Sequence, residues 1–262
     1  MVIVHPEFAM LILEINDLRD EIADLTVDRD MIKYYICRNL QIDYMLKIES
    51  LEYKLAVEEN RFQRNKLKID LINNTLEKDK DVDMEKINKK IEKERKKHEK
   101  IEKSMLDDID FAIEITEMEV FDYEMIDQMN LDYFKIQKKY NPFLDLEEDE
   151  KKIKNYKKIE NYYKKFNYKK IHKLAEDCEE EEFFQDEISN LKLLRDKYLD
   201  IIAELRRDLR KLKNTFPYNQ KAILEDENLC RRKKDKLNRK ITELNEENKD
   251  LEKRLDNILK KL

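Results

Sequence analysis

Not one of the 262 residues of this chain is glycine. At the usual frequency of about 7 %, a chain of this length carries roughly 18 of them. Glycine supplies the positive-φ positions of tight turns, bulges and phosphate loops. A chain without it forgoes hairpin turns, glycine-rich nucleotide cradles and close backbone approach to a cofactor. With 44 % charged residues, no tryptophan and three prolines, what remains is a chain of long helices.

The apolar fraction, 40 %, is thin for a globular core when 44 % of residues are charged. It suits helices that bury a narrow stripe and solvate the rest. Net charge is −6, from 61 acids against 55 bases, with both signs interspersed. That balance does not mark a generic nucleic-acid binder. Cys37, Cys178 and Cys230 are far apart and odd in number, a reducing-compartment pattern rather than a disulfide framework or a zinc site. The segment Met1 to Pro6 lacks the basic region and cleavage site of a signal peptide. The longest apolar runs fall far short of the ~20 residues needed to cross a bilayer. The expectation is a cytoplasmic protein with no membrane contact, no metal and no cofactor.

Apolar residues recur at alternating steps of three and four. The first stripe begins after Pro6 and reads Phe8, Leu11, Ile15, Leu18, Ile22, Leu25, Ile32 and Ile36. It breaks near Cys37-Arg38-Asn39, where Asn39 is placed to cap a new helix. The second stripe reads Ile48, Leu51, Leu55, Phe62, Ile69, Ile72 and Leu76, interrupted by Glu58 and Asn65. Asn73-Asn74 and Asp79 to Asp83 supply a stop and a cap. A third helix carries Met84, Ile87, Ile91, His98, Ile101, Met105, Ala112 and Ile115.

The C-terminal third repeats the device. One seam runs through Ile188, Leu191, Tyr198, Ile202, Leu205, Leu209 and Leu212, and Asn214-Thr-Phe-Pro217 ends it. Another runs Leu237, Ile241, Leu244, Asn248, Leu251, Leu255, Ile258 and Leu262, with Asn248 on the seam itself. Heptads imply helix-on-helix packing, and short breaks imply antiparallel neighbours. The fold class expected is therefore all-α, with long antiparallel coiled-coil helices flanking a small helical core. The domains would be 1–118, 119–187 and 188–262, the last as an antiparallel hairpin, with self-association through the coiled coils also open. In 119–187 aromatics gather (Phe121, Tyr123, Tyr133, Phe134, Tyr140, Phe143, Tyr156, Tyr162, Tyr163, Phe166, Tyr168) around a single Pro142.

Motifs for catalysis are missing. His5, His98 and His172 stand alone in sequence, and P-loops and nucleophile elbows need glycine. The carboxylates follow solvated helix faces. The chain is not expected to be an enzyme. One stretch offers a binding chemistry: residues 151–174 hold ten lysines against one acid, Glu160. Within it Lys157, Lys158, Tyr162, Lys164, Lys165, Tyr168, Lys169 and Lys170 interleave bases with aromatics, as a single-stranded nucleic-acid surface does. Glu176 to Glu182, almost entirely acidic, follows directly. Nucleic-acid binding is the alternative function on this account.

A sharper pattern is Tyr133-Phe-Lys-Ile-Gln-Lys-Lys-Tyr-Asn-Pro-Phe-Leu144. It resembles the second helix and loop of a J domain, the module that partners DnaK-type chaperones. Tyr133, Lys135 and Ile136 match the family's Tyr, Lys and Leu, Lys138 and Lys139 match its basic stretch, and Pro142 matches its loop proline. Tyr156-Lys-Lys-Ile159-Glu-Asn-Tyr162-Tyr163 is similar to the third J-domain helix. The flanks, Arg38-Asn39-Leu40 to Ile48 and Phe216-Pro217 with Leu224-Glu-Asp-Glu, look like a group of bacterial proteins with a J-like core between coiled coils. The resemblance implies a partner surface at Lys135, Lys138, Lys139, Asn141, Pro142 and Phe143. It also implies a loss. Asn141 and Phe143 replace the His and Asp of the tripeptide that triggers ATP hydrolysis in the chaperone. Neither can supply the charge-assisted contacts of the originals. The expectation is a non-catalytic adaptor or scaffold, weakly bound at most by a DnaK-type chaperone and unable to stimulate it.

Overall fold

The computed structural model describes residues 6–78, 81–116, 123–147, 149–178 and 187–261. Of these, 91 % are helical, and none lies in a strand. The chain is all-α. His5, Asp79, Phe121, Glu179 to Glu182 and Leu262 lie outside the described residues, as do the side chains of Ile115 and Tyr123. No described helix is long and apolar enough to cross a membrane.

The chain divides into two compact units, Met1–Asn39 with Val120–Asn219, and Leu40–Glu119 with Gln220–Leu262. This differs from the three consecutive segments the periodicity predicts. Each unit draws on both N-terminal and C-terminal sequence.

In the first unit, α1 (Pro6–Met31) lies against α8 (Ile188–Asn214). Their shared core holds Leu11, Ile15, Leu18 and Ile22 from one helix and Leu191, Leu194, Tyr198, Ile202 and Leu205 from the other. Burying each such side chain contributes about 1.5–3 kcal/mol. Two ion pairs, Glu7 with Lys192 at 2.7 Å and Glu21 with Arg206, join residues 185 apart in sequence. A constant separation along two helices means that they run parallel.

The same unit carries α5 (Tyr123–Tyr140), α6 (Glu150–Lys164) and α7 (Tyr168–Glu176). They enclose Met129, Tyr133, Ile136, Ile159, Tyr163, Ile171 and Ala175. Tyr133 and Tyr163 stack with ring centroids 3.9 Å apart, which ties α5 to α6.

In the second unit, α3 (Ser50–Leu76) packs on α10 (Glu227–Leu259) and on α4 (Met84–Thr116). Ile69, Ile72, Ile87 and Leu255 form one cluster among all three. Asn60 bonds Glu102 at 2.7 Å, while Ile72 meets Ile87, so α3 and α4 are antiparallel as expected. Asp83 caps α4, its carboxylate accepting the Lys86 amide at 2.9 Å. Against α10 the direction is reversed. Asn248 reaches Glu58, 190 residues away, and Arg61 reaches Glu252, 191 away, so α3 and α10 run parallel.

The structure departs from the periodicity in helix pairing, helix direction, one helix break and one seam position. The helices of 188–262 do not pair with each other as a hairpin: α8 packs on α1 and α10 on α3. Those two pairs are parallel, because heptad spacing encodes a seam and says nothing of its direction. The break at Cys37 to Asn39 does not end a helix either. Residues 37–39 begin α2 (Cys37–Tyr44), which lies between π-helical turns at Ile32–Ile36 and Met45–Glu49. The residues flanking both turns keep right-handed helical dihedrals. The phase shift in the stripe is real, and the extra residue of a π turn absorbs it. Asn39 accordingly caps nothing. On α4 the expected seam residue Ile101 is 60 % exposed.

The polar interruptions explain which seam meets which. Asn248 is fully buried and donates to the Glu58 carbonyl at 3.0 Å and to its carboxylate at 2.9 Å, while Asn245 donates to the same carboxylate. Glu58 and Asn248 are the interruptions of their two stripes, and they face each other. Asn248→Leu should therefore destabilise the protein by about 1–3 kcal/mol, because it strips a donor from a carboxylate held between helices. Adding Glu58→Leu should recover at least half of that loss. Urea denaturation of the three variants checks this, and independent, additive effects would refute the pairing.

Candidate functional site

The region between α5 and α6 is where the sequence places its partner surface. Tyr140 ends α5 and Asn141 turns the chain with φ −73° and ψ 109°. Its side-chain oxygen accepts the Phe143 amide at 3.1 Å and so caps a single 3₁₀ turn, Pro142–Leu144. Proline suits that first position because its ring fixes φ and no donor is lost there. The Asn141 amide points inward to Gln137 Oε1 at 3.4 Å, and both Asn141 and Pro142 are buried. Phe143 is 44 % exposed and meets Tyr156 edge-on at 6.2 Å.

The next residue anchors the loop. Leu144 enters the α1–α8 core, and its carbonyl accepts the Tyr198 hydroxyl at 2.6 Å. Burial pushes the Tyr198 phenol up to about 12, so it stays a neutral donor. Asp145 takes Lys152 at 2.6 Å on its side chain and Lys197 on its carbonyl.

The three lysines differ in their commitments. Lys135 is exposed. Lys138 pairs with Asp20 of α1 at 2.6 Å, and its carbonyl accepts from Arg19 at 2.8 Å. Lys139 donates to the Asp177 carbonyl at the end of α7 at 3.1 Å. Lys138 and Lys139 thus link α5 to its neighbours within the unit, and the basic patch expected before the tripeptide is reduced to Lys135.

Behind the loop sits a polar cluster that an apolar pattern search passes over. Tyr156 donates to Gln137 Oε1 at 2.6 Å. Tyr133 donates to Asp30 at 3.1 Å, and Arg29 holds the same carboxylate at 2.8 Å. Burial holds both phenols well above their ordinary range. Glu160 beside them is also raised, by burial first and then by the Asp30 charge. Asp30 belongs to a second buried row on α1, Ala23, Thr26 and Asp30, spaced three and four apart. That spacing was visible in the sequence, but its residues are small or polar.

His172, isolated in sequence, is not isolated in space. Its Nδ1 lies 2.7 Å from Asp132, a buried carboxylate that also accepts from Gln128 at 3.0 Å. Its ring stacks on Tyr168 at 5.4 Å.

Of the alternative site, Lys157, Lys158, Lys164, Lys165, Lys169 and Lys170 are all exposed, and Tyr162 and Tyr168 are half-buried. Lys170 lies over the Tyr162 ring at 4.4 Å, and Lys164 over Tyr34 at 5.7 Å. The α6–α7 corner is a Schellman closure, with Asn167 N–H to the Tyr162 carbonyl and Phe166 N–H to the Tyr163 carbonyl, both at 2.9 Å. Its left-handed position, usually a glycine, is Phe166 at φ 52°, the one positive φ among the described residues. Its ring compensates by packing edge-on against Tyr35 at 5.4 Å.

No family model, curated protein or solved structure matches this chain. Any likeness to J domains therefore rests on the residues themselves.

Two expectations follow from this geometry. Phe166→Ala loses the ring and keeps the strain, whereas Phe166→Gly loses the ring and relieves it. Left-handed backbone costs a non-glycine residue roughly 1–2 kcal/mol, so the glycine variant should be the more stable of the two by about 1 kcal/mol in urea denaturation. The opposite order would exclude the left-handed conformation. The second concerns pH. The hydrogen bond that His172 donates to Asp132, and then the charges of Asp132 and Glu176, raise His172 above its ordinary 6.5 against the opposing effects of desolvation and of Lys135. Its contribution to stability is then complete below about pH 6.5 and is lost as pH rises through the raised value. An NMR titration should find His172 above 6.5 and returned towards it by Asp132→Asn; an unchanged titration in that variant would remove the pair.

Proposed function

We propose that this protein is a non-catalytic protein-interaction module, an adaptor or scaffold whose α5–loop–α6 segment is a J-domain-like hairpin that has lost chaperone stimulation. The order helix, Asn-Pro-Phe turn, helix supports the J-like part of the reading, together with the antiparallel contacts Gln137 to Tyr156 and Asn130 to Tyr163. The observation that carries the loss is the state of Asn141. It is buried, neutral, and spends its oxygen on the Phe143 amide and its amide on Gln137. A residue so engaged has no charge and no free polar atom to offer a chaperone. Of the basic features, Lys138 and Lys139 are drawn to Asp20 and Asp177, which leaves Lys135 exposed. Phe143, exposed at the tip, is the side chain left for a partner to cover.

The test is single-turnover ATP hydrolysis by a DnaK-type chaperone with and without the protein. The unmodified chain should give no acceleration, and robust acceleration would overturn the reading. Phe143→Ala should abolish capture of the protein's partner while leaving the melting temperature within a few degrees, since an exposed side chain contributes little to stability. Capture that survives the substitution would move the partner surface away from the loop.

A further inference from the structure

The α6–α7 hairpin divides its residues sharply. Tyr156, Ile159, Tyr163, Ile171 and Ala175 face the core, and all ten lysines of 151–174 are exposed. Lys151, Lys154, Lys158 and Lys165 follow one another on α6 and its C-cap at steps of three, four and seven residues. Those steps put them on one line, on the side of the helix opposite Tyr156, Ile159 and Tyr163. The line is about 21 Å long at 1.5 Å per residue. None of the four ammonium groups has an acid within 4.0 Å among the described residues. Beside them on the same side stand Asn155 and Asn161, exposed and uncharged. Glu160, the one acid of the segment, lies towards Arg29 and is half-buried.

We propose that this lysine ridge is a binding surface for the phosphate backbone of a nucleic acid, read by charge and without base stacking. The aromatics expected to stack are already engaged: Lys170 covers the Tyr162 ring and His172 stacks on Tyr168. Tyr156 and Tyr163 are buried. What the ridge offers is a row of cations with no acid partner among the described residues, which suits a regular row of phosphates and carries no sequence preference. A membrane surface fits less well. Helices that lie in the bilayer interface bury an apolar face there, and no large apolar side chain between residues 149 and 178 is exposed.

Fluorescence anisotropy of the full chain with labelled mixed-sequence duplex DNA tests the ridge. Four phosphate contacts give a slope of about −3.6 in log K against log salt, so affinity should fall about 150-fold between 50 and 200 mM. Lys154→Gln/Lys158→Gln/Lys165→Gln should flatten the slope to about −0.9. The triple change Lys236→Gln/Lys240→Gln/Lys249→Gln, at exposed positions of α10, should leave it unchanged. Single strands of different base composition should bind alike, with or without Tyr162→Leu. No binding to DNA, an unchanged slope in the ridge variant, or equal loss in the α10 variant would overturn the proposal. So would preference for a poly-glutamate peptide or for vesicles of anionic phospholipid, which would give the surface to another class of partner.

Discussion

A chain with 44 % charged residues can give each long helix only one narrow dry stripe, and every stripe must find a partner of matching length and matching interruptions. That requirement organises both units. α1 finds α8 and α3 finds α10, and in the second pair the match extends to the polar positions, where Asn248 meets Glu58. A buried amide facing an aliphatic residue would lose its hydrogen bonds at a cost comparable to one packed side chain. Two interruptions at the same level give the Glu58 carbonyl and carboxylate an amide donor, and a shift by one heptad takes it away. The polar pair thus supplies the discrimination that leucine and isoleucine, being alike along a seam, cannot.

This explains how much of the fold was legible. The stripes, their residues and most helix ends follow from spacing and capping alone: Pro6 opens α1, Asp83 caps α4 and α8 ends at Asn214. Partner and direction do not follow, because an apolar residue every three or four positions looks the same from either end. Short breaks suggest antiparallel neighbours, but the break at Cys37 to Asn39 is a change of helical phase carried by π turns. The matched interruptions, Glu58 and Asn248, each stand out in the sequence as anomalies of separate stripes. Taken as a pair, they join α3 to α10.

The candidate loop was legible in outline and not in its orientation. Asn-Pro after a helix predicts a turn, and the turn is there. Whether Asn141 faces out, as a contact residue must, or in, as a capping residue does, depends on Gln137, Tyr156 and the Leu144 anchor, which lie in three different elements. The buried Asp30 was hidden for a different reason. Its row on α1 is built from Ala23, Thr26 and a carboxylate, so it has helical periodicity without hydrophobicity. Lys138 illustrates the same limit, since its partner Asp20 lies more than a hundred residues away in sequence.

Absence of glycine shapes the one corner among the described residues where the chain needs a left-handed residue. A bulky aromatic there is tolerable only if its ring is held, and Tyr35, on the π turn after α1, holds Phe166. The consequence reaches past the corner. With Phe166 fixed, α6 and α7 are joined by a two-hydrogen-bond closure rather than a flexible loop, and their lysines stand on a rigid support. Rigidity matters for a row of cations, because cations on a fixed frame repel one another without relief until an anion arrives. Net charge, −6 over the whole chain, conceals this entirely. Charge acts over roughly 8–10 Å at physiological salt, so the field at the exposed face of α6 is set by the lysines nearest to it and not by the acids of distant helices.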